Sequence, residues 1–185
     1  MNEKIRDVKG RLKYSYEFCA PTINDILKTI FKDTKAESVE LKKLLTIDET
    51  DCLDGKYNND VKSINLGKLI ADGYITNCPN VKLNENEKAK ARIIIYFDNF
   101  EKCNKNLEYL NYTLEVKVVS HVDLWTLDDL ECRPLKILGY IDNIIKNGKY
   151  DKIGRVEPLP TTYFSPCEEM IGYWASYKFY HEDKY

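Results

Sequence analysis

The chain has 185 residues, 43% of them hydrophobic and 31% charged, with a formal charge of -2. That is the balance of a single globular domain able to bury a core without metal or disulfide support. A pI near 5.8 excludes a strongly basic nucleic-acid binder, and no apolar run approaches the roughly 20 residues of a membrane span. The opening MNEKIRDVKGRLKYSY is too polar for a signal peptide, so a soluble, intracellularly made, single-domain protein is expected.

Along the chain, the first periodic segment is Pro21 to Lys32, where Ile23, Ile26, Leu27, Ile30 and Phe31 recur on one helical face. Pro21 suits a first helical turn, and Asn24 and Asp25 place polarity near the positive end of the dipole. Ser38-Val39-Glu40-Leu41 begins a weaker second helix. Asp48 to Asn65 is polar, bears Gly and Asn, and reads as a long loop or mobile insertion. Leu66, Leu69, Ile70, Tyr74 and Ile75 then offer one helical turn and an edge strand.

The second half is patterned more sharply. Arg92 to Phe97 is a continuous β-branched and aromatic run, the signature of a buried strand. From Tyr112 to Ser120, Tyr112, Leu114, Val116 and Val118 alternate with Thr113, Glu115 and Lys117, which predicts a half-buried antiparallel strand. The 14 residues from Asp98 to Asn111 read as an extended connecting loop. Asp128 to Pro134 leads into a helix with Leu135, Leu138, Ile141, Ile144 and Ile145 on one face and Asn147-Gly148 as its stop. Two strands close the pattern, Arg155 to Phe164 and Gly172 to Tyr180. Pro158 and Pro160 place the former at an edge or a bulge, since proline donates no ladder hydrogen bond. The predicted fold is α+β: a mostly antiparallel four-stranded sheet packed by helices, in the order α-(α)-β-β-α-β-β. Residues 1–91 form a helical, loop-rich part and 92–185 the β-β-α-β-β core.

The six cysteines lie at least 25 residues apart, with no CxxC, and His121 and His181 are isolated, so no zinc-like ligand pair exists. Reduced, half-buried packing thiols are the plainer reading. Phosphate-loop, dinucleotide, nucleophile-elbow and HExxH motifs are absent. In SHVDLWTLDD, His121 and Asp123 fall on one side of a strand end, where with Asp128 they could serve acid/base or divalent-metal chemistry. The plainer reading is that Asp128 and Asp129 complement the next helix's dipole while His121 sits at a solvated strand end. Cys132 precedes the same helix, where the dipole would favour a thiolate, but no histidine is positioned to make it a nucleophile. Aromatics on both faces of the last strand, with Tyr163 and Phe164 beside them, suggest contacts on both sides of a sheet, one to the chain's own helices and one to a neighbour.

The runs KVVSHVDLWTLDDLECRPLKILGYIDNIIKNG, IGRVEPLP and EEMIGYWASYKF resemble the small α/β domain of tailed-bacteriophage neck and tail-completion proteins, tail terminators in particular. The resemblance spans about Arg92 to Tyr180. It implies a non-enzymatic virion protein of the neck, made in the host cytoplasm, with no cofactor and no bound metal. The implied partners are copies of itself in a hexameric or dodecameric ring, other portal, neck or tail proteins, and DNA passing through the channel without sequence-specific contact. The implied subunit-interface residues are Asn104, Lys105 and Asn106 in the long loop, with Trp125, Tyr173, Trp174, Tyr177, Phe179 and Tyr180. The alternatives are a small phage-encoded metal-dependent enzyme, such as a nuclease using His121, Asp123 and Asp128, and a module that inhibits a host protein.

Overall fold

The computed structural model describes residues 19–32, 36–79, 90–102, 110–147 and 156–180. The chain is α+β. Helix α1 (Cys19–Ile30) and helix α2 (Ala36–Thr46) are followed by a short 3-10 turn and two one- to two-turn helices, α3 (Asn58–Lys62) and α4 (Leu66–Ala71). Strand β1 (Ile75–Thr76), the long pair β2 (Ala91–Lys102) and β3 (Leu110–His121), helix α5 (Arg133–Asn147), and strands β4 (Val156–Pro158), β5 (Thr162–Phe164) and β6 (Met170–Phe179) complete it.

These strands form one six-stranded mixed sheet in the order β1-β2-β3-β6-β4, with β5 also on β6. The expected four-stranded antiparallel sheet is therefore its centre. The difference lies at the edges, where β1 joins β2 in parallel and the expected third strand splits into two short pieces. Both pieces pair with β6. The break falls at Pro160, and the edge position expected from the prolines is what is seen. The expected loop from Asp98 to Asn111 is strand at both ends: Asp98 pairs with Thr113 and, past a bulge, Glu101 with Asn111 and Lys102 with Leu110. Asn99, with φ of 50°, turns the chain at this bulge, which lets polar residues continue a ladder that their composition disguises.

One side of the sheet carries Ile93, Ile95, Leu114, Val116, Val118, Ala175, Tyr177 and Phe179, which share a single core with α1, α2 and α5. Helix α5 presents Ile137, Leu138, Ile141 and Ile145 to that core, whereas Leu135 stays 43% exposed. The helix is thus rotated from the expected face because Arg133 turns inward. This side chain is fully buried. Its Nη1 donates to the carbonyls of Leu44 (3.1 Å) and Ile47 (2.8 Å) and its Nη2 to Glu49 (2.5 Å). A guanidinium here does what a C-cap does, satisfying carbonyls at and just beyond the end of α2.

Arg133 also accounts for the segment from Asp48 to Asn65, which folds instead of looping freely. Lys43 reaches from α2 to the carbonyls of Leu53 (3.2 Å) and Asp54 (2.8 Å). The two cations fold the polar stretch back over α2, and Cys52 and Val61 are fully buried beneath it. Tyr140 Oη donates to Glu40 and Tyr177 Oη to Asp142 at 3.0 Å, tying α5 to α2 and to β6.

Candidate functional site

Strand β3 is not half-solvated. Thr113, Glu115 and Val119, on the side away from the helices, are buried, as are Leu114 and Val116 on the other. Glu115 accepts hydrogen bonds from Ser176 Oγ at 2.5 Å and from Trp174 Nε1. Beside it, Lys117 Nζ lies 4.5 Å from the ring centre of Trp174, 5.0 Å from Phe164 and 5.2 Å from Tyr96. A cation among three rings, next to a buried carboxylate, forms a closed polar-aromatic cluster. Farther along, Lys178 pairs with Glu101 at 2.8 Å, and Tyr180 Oη donates to Glu157 at 2.6 Å. Trp174 and Tyr180 are thereby engaged by their own sheet. Tyr177 and Phe179 are fully buried in the core, so they pack this chain and offer no side chain to a neighbour. Asn104, Lys105, Asn106 and His181 lie outside the described residues.

The remaining interface candidates do come together. Trp125 stacks on Tyr173 with centroids 5.8 Å apart and 29° between planes. Tyr163 meets Tyr173 edge-on at 6.3 Å and is 57% exposed. This aromatic group sits on the β5–β6 side of the sheet. Next to it in sequence, residues 126–132 form a tight hairpin closed by the Thr126–Cys132 bridge. The N–H of Leu127 bonds the Glu131 carbonyl and that of Leu130 the Leu127 carbonyl, both at 2.9 Å. This is a turn whose last residue stands in the left-handed region, where glycine is the usual occupant. Here the residue is Leu130, with φ of 64°, and 86% of it is exposed.

His121 and Asp123 meet, but through the 3-10 turn of Val122–Leu124 that His121 caps and not on one face of a strand. The His121 Nδ1 accepts the Asp123 N–H at 3.3 Å and lies 3.2 Å from its carboxylate, while Nε2 is 3.7 Å from Glu169. Asp128 does not join them; its N–H bonds the Thr50 carbonyl at 3.2 Å. Among the described residues, no group of three His, Cys, Asp or Glu side chains is placed to hold a metal. Asp129, expected near the α5 dipole, instead pairs with Lys136 at 3.0 Å, which holds its carboxyl below the ordinary range. The Cys132 thiol is pushed up by burial, opposite to the activated thiolate that a helix start would favour.

At the other edge of the sheet lies a cleft of about 750 Å³. Ile23 and Leu27 of α1, Ile70 of α4, and Tyr96, Phe97 and Phe100 of β2 supply its apolar lining. Among the described residues the lining includes the buried Arg92 and no carboxylate. Strand β1 is only two residues long, so beyond Ile94 no described strand pairs with this side of β2. Sequence reasoning missed the cleft because its walls come from three separated segments, and the exposed Ile70 and Phe100 look like any surface apolar residue.

A family model, YomW, matches residues 38–179. The chain belongs to the YomW family. It is a phage-derived family, from SPbeta-like prophages of Bacillus. The match runs from α2 to the end of β6 and so includes every strand of the sheet. Comparison with curated proteins and with solved structures returned no match.

Proposed function

We propose that this YomW-family chain is a structural protein of a tailed-phage virion, forming a ring in the neck between the capsid portal and the tail. The phage origin of the family supports the setting. The observation that carries the reading is where exposed apolar surface lies. Trp125, Tyr163 and Tyr173 gather on the β5–β6 side, while Ile70 and Phe100 open at the β1–β2 edge. Two different apolar patches on opposite sides of one sheet suit head-to-tail contacts, the heterologous geometry from which closed rings are built. Both edges also discourage simple strand addition, one ending in Pro158 and Pro160 and the other bulged at Asp98 to Glu101, so side-chain docking is the favoured contact. Mass photometry of the purified protein, with electron microscopy of virions, tests the reading. A ring of identical copies found in the neck supports it; a monomer absent from virions overturns it.

The second reading, a metal-dependent nuclease, rests on the His121–Asp123 contact. Magnesium- or manganese-dependent cleavage that disappears in a His121→Ala, Asp123→Ala double variant would support it, and cleavage retained by that variant would remove it.

A further inference from the structure

We propose that residues 48–57 form a strap that opens as a unit while the rest of the fold stays closed, uncovering Cys52 together with the charged ends of Arg133 and Lys43. The inference stands apart from the ring reading. Both ends of the strap are fixed. Before it, the Ile47 N–H bonds the Lys43 carbonyl at 2.9 Å and the Ile47 carbonyl accepts from Arg133 at 2.8 Å. After it, α3 is anchored by the fully buried Val61. Between these points the strap coheres through its own bonds. Asp51 accepts from Lys56 and, at 3.1 Å, from Tyr57 Oη. The Asp54 N–H bonds the Asp51 carbonyl at 2.9 Å, and Asp54 Oδ1 accepts the Lys56 N–H at 2.9 Å. None of these bonds has to break for the strap to lift.

What holds the strap down is nearly all polar. Cys52 is the one buried side chain between residues 48 and 57, with Leu53 half-buried beside it, so apolar burial contributes little. The described contacts that pin it are Arg133 to the Glu49 carbonyl, Lys43 to the Leu53 and Asp54 carbonyls, and the Asp128 N–H to the Thr50 carbonyl at 3.2 Å. A solvent-exposed pair of Lys90 with Asp48 at 3.3 Å adds little. Arg133 is fully buried and Lys43 is 2% exposed, yet among the described residues their hydrogen bonds all go to carbonyls and none to a carboxylate. The buried Arg133 Nε finds no acceptor in the protein at all. Cations held this way keep most of their desolvation cost. Lifting the strap lets water reach both heads and the unpaired Nε, which offsets the carbonyl bonds that are lost; a strap held by apolar packing would gain nothing in return. Opening of residues 48–57 therefore lies well below global unfolding in free energy.

The test is iodoacetamide labelling of the native protein across a urea series, read at each cysteine by mass spectrometry. The exposed Cys78 supplies the rate of an accessible thiol within the same molecule. Cys52 is expected to label at a rate that stays constant with urea until the global transition begins, since lifting a short strap exposes little surface. Lys43→Met removes the bonds to Leu53 and Asp54 and should speed Cys52 labelling on the order of 10-fold, the worth of a hydrogen bond to a charged group, while amide exchange in β3 stays as in the wild type. Cys52 that labels only along the slope of global unfolding overturns the strap, and the wild-type chain alone decides this if Lys43→Met fails to fold. Urea-independent labelling that a folded Lys43→Met variant leaves unchanged overturns the cation as what holds the strap shut.

Discussion

Replacing Arg133 with methionine keeps an unbranched stem of similar reach but removes the guanidinium from the carbonyls of Leu44, Ile47 and Glu49. Hydrogen bonds to a charged donor are worth about 1.5–3 kcal/mol each, so the three represent roughly 5–9 kcal/mol before any offset. Removing a fully buried cation returns several kcal/mol of desolvation, leaving a net loss of about 3 kcal/mol, close to what is found when one partner of a buried charged network is deleted. For a chain of this length that corresponds to a fall in Tm of about 6–12 °C. The loss should be uneven in space. Amide hydrogen exchange from Ile47 to Lys62 is expected to quicken most, because Arg133 and Lys43 are what fold that polar stretch onto α2. Arg133→Lys, which cannot span three carbonyls, should fall in between. A methionine variant within about 2 °C of wild type, with exchange unchanged from Ile47 to Lys62, would refute the reasoning.

Gly172→Ala should be severely destabilising, since an added Cβ would lie 1.8 Å from the Val118 carbonyl oxygen and 2.8 Å from Val119 Cα. These are backbone atoms of the central strand and cannot turn away; a loss of more than about 3 kcal/mol in urea unfolding is expected, and a near-neutral effect would contradict the tight β3–β6 approach. Towards acid, Asp51, Glu101 and Asp129 are held below their ordinary carboxyl values chiefly by hydrogen bonds from Lys56, Lys178 and Lys136. Their unfolded forms bind protons first, so their support is complete above about pH 5 and fades as pH falls through their lowered values. Urea midpoints that stay flat down to pH 3 would contradict these pairings. Towards alkali, burial and Glu40 push Tyr140 up to about 12, and burial raises Tyr177 beside Asp142. Their protonated forms favour the fold, so stability should drop above about pH 10, where unfolded tyrosine ionises. Tyrosinate absorbance for these two should appear only with unfolding; early titration of both would refute their burial.

Helices α1 and α5 were legible because their apolar residues follow the helical period, and the β2, β3 and β6 cores because β-branched and aromatic residues run or alternate there. What escaped depends on partners distant in sequence. Nothing local marks Cys52 and Val61 as buried, since the cations that enclose them come from α2 and α5. Glu115 reads as solvated until Trp174 and Ser176 are brought across from β6. The same strand misled the site reading: Tyr177 and Phe179 are core residues, whereas Trp125, Tyr163 and Tyr173 form a partly exposed stack. Leu130 was visible only as part of an acidic helix lead-in, because its backbone angle and exposure exist only in the folded hairpin.

The ring is tested most directly by the mass of the purified protein in solution across a concentration series. A dominant closed species at a fixed multiple of the 21.7 kDa chain is the expected result. A single-chain mass at every concentration, with no such particle in virion necks, would contradict it.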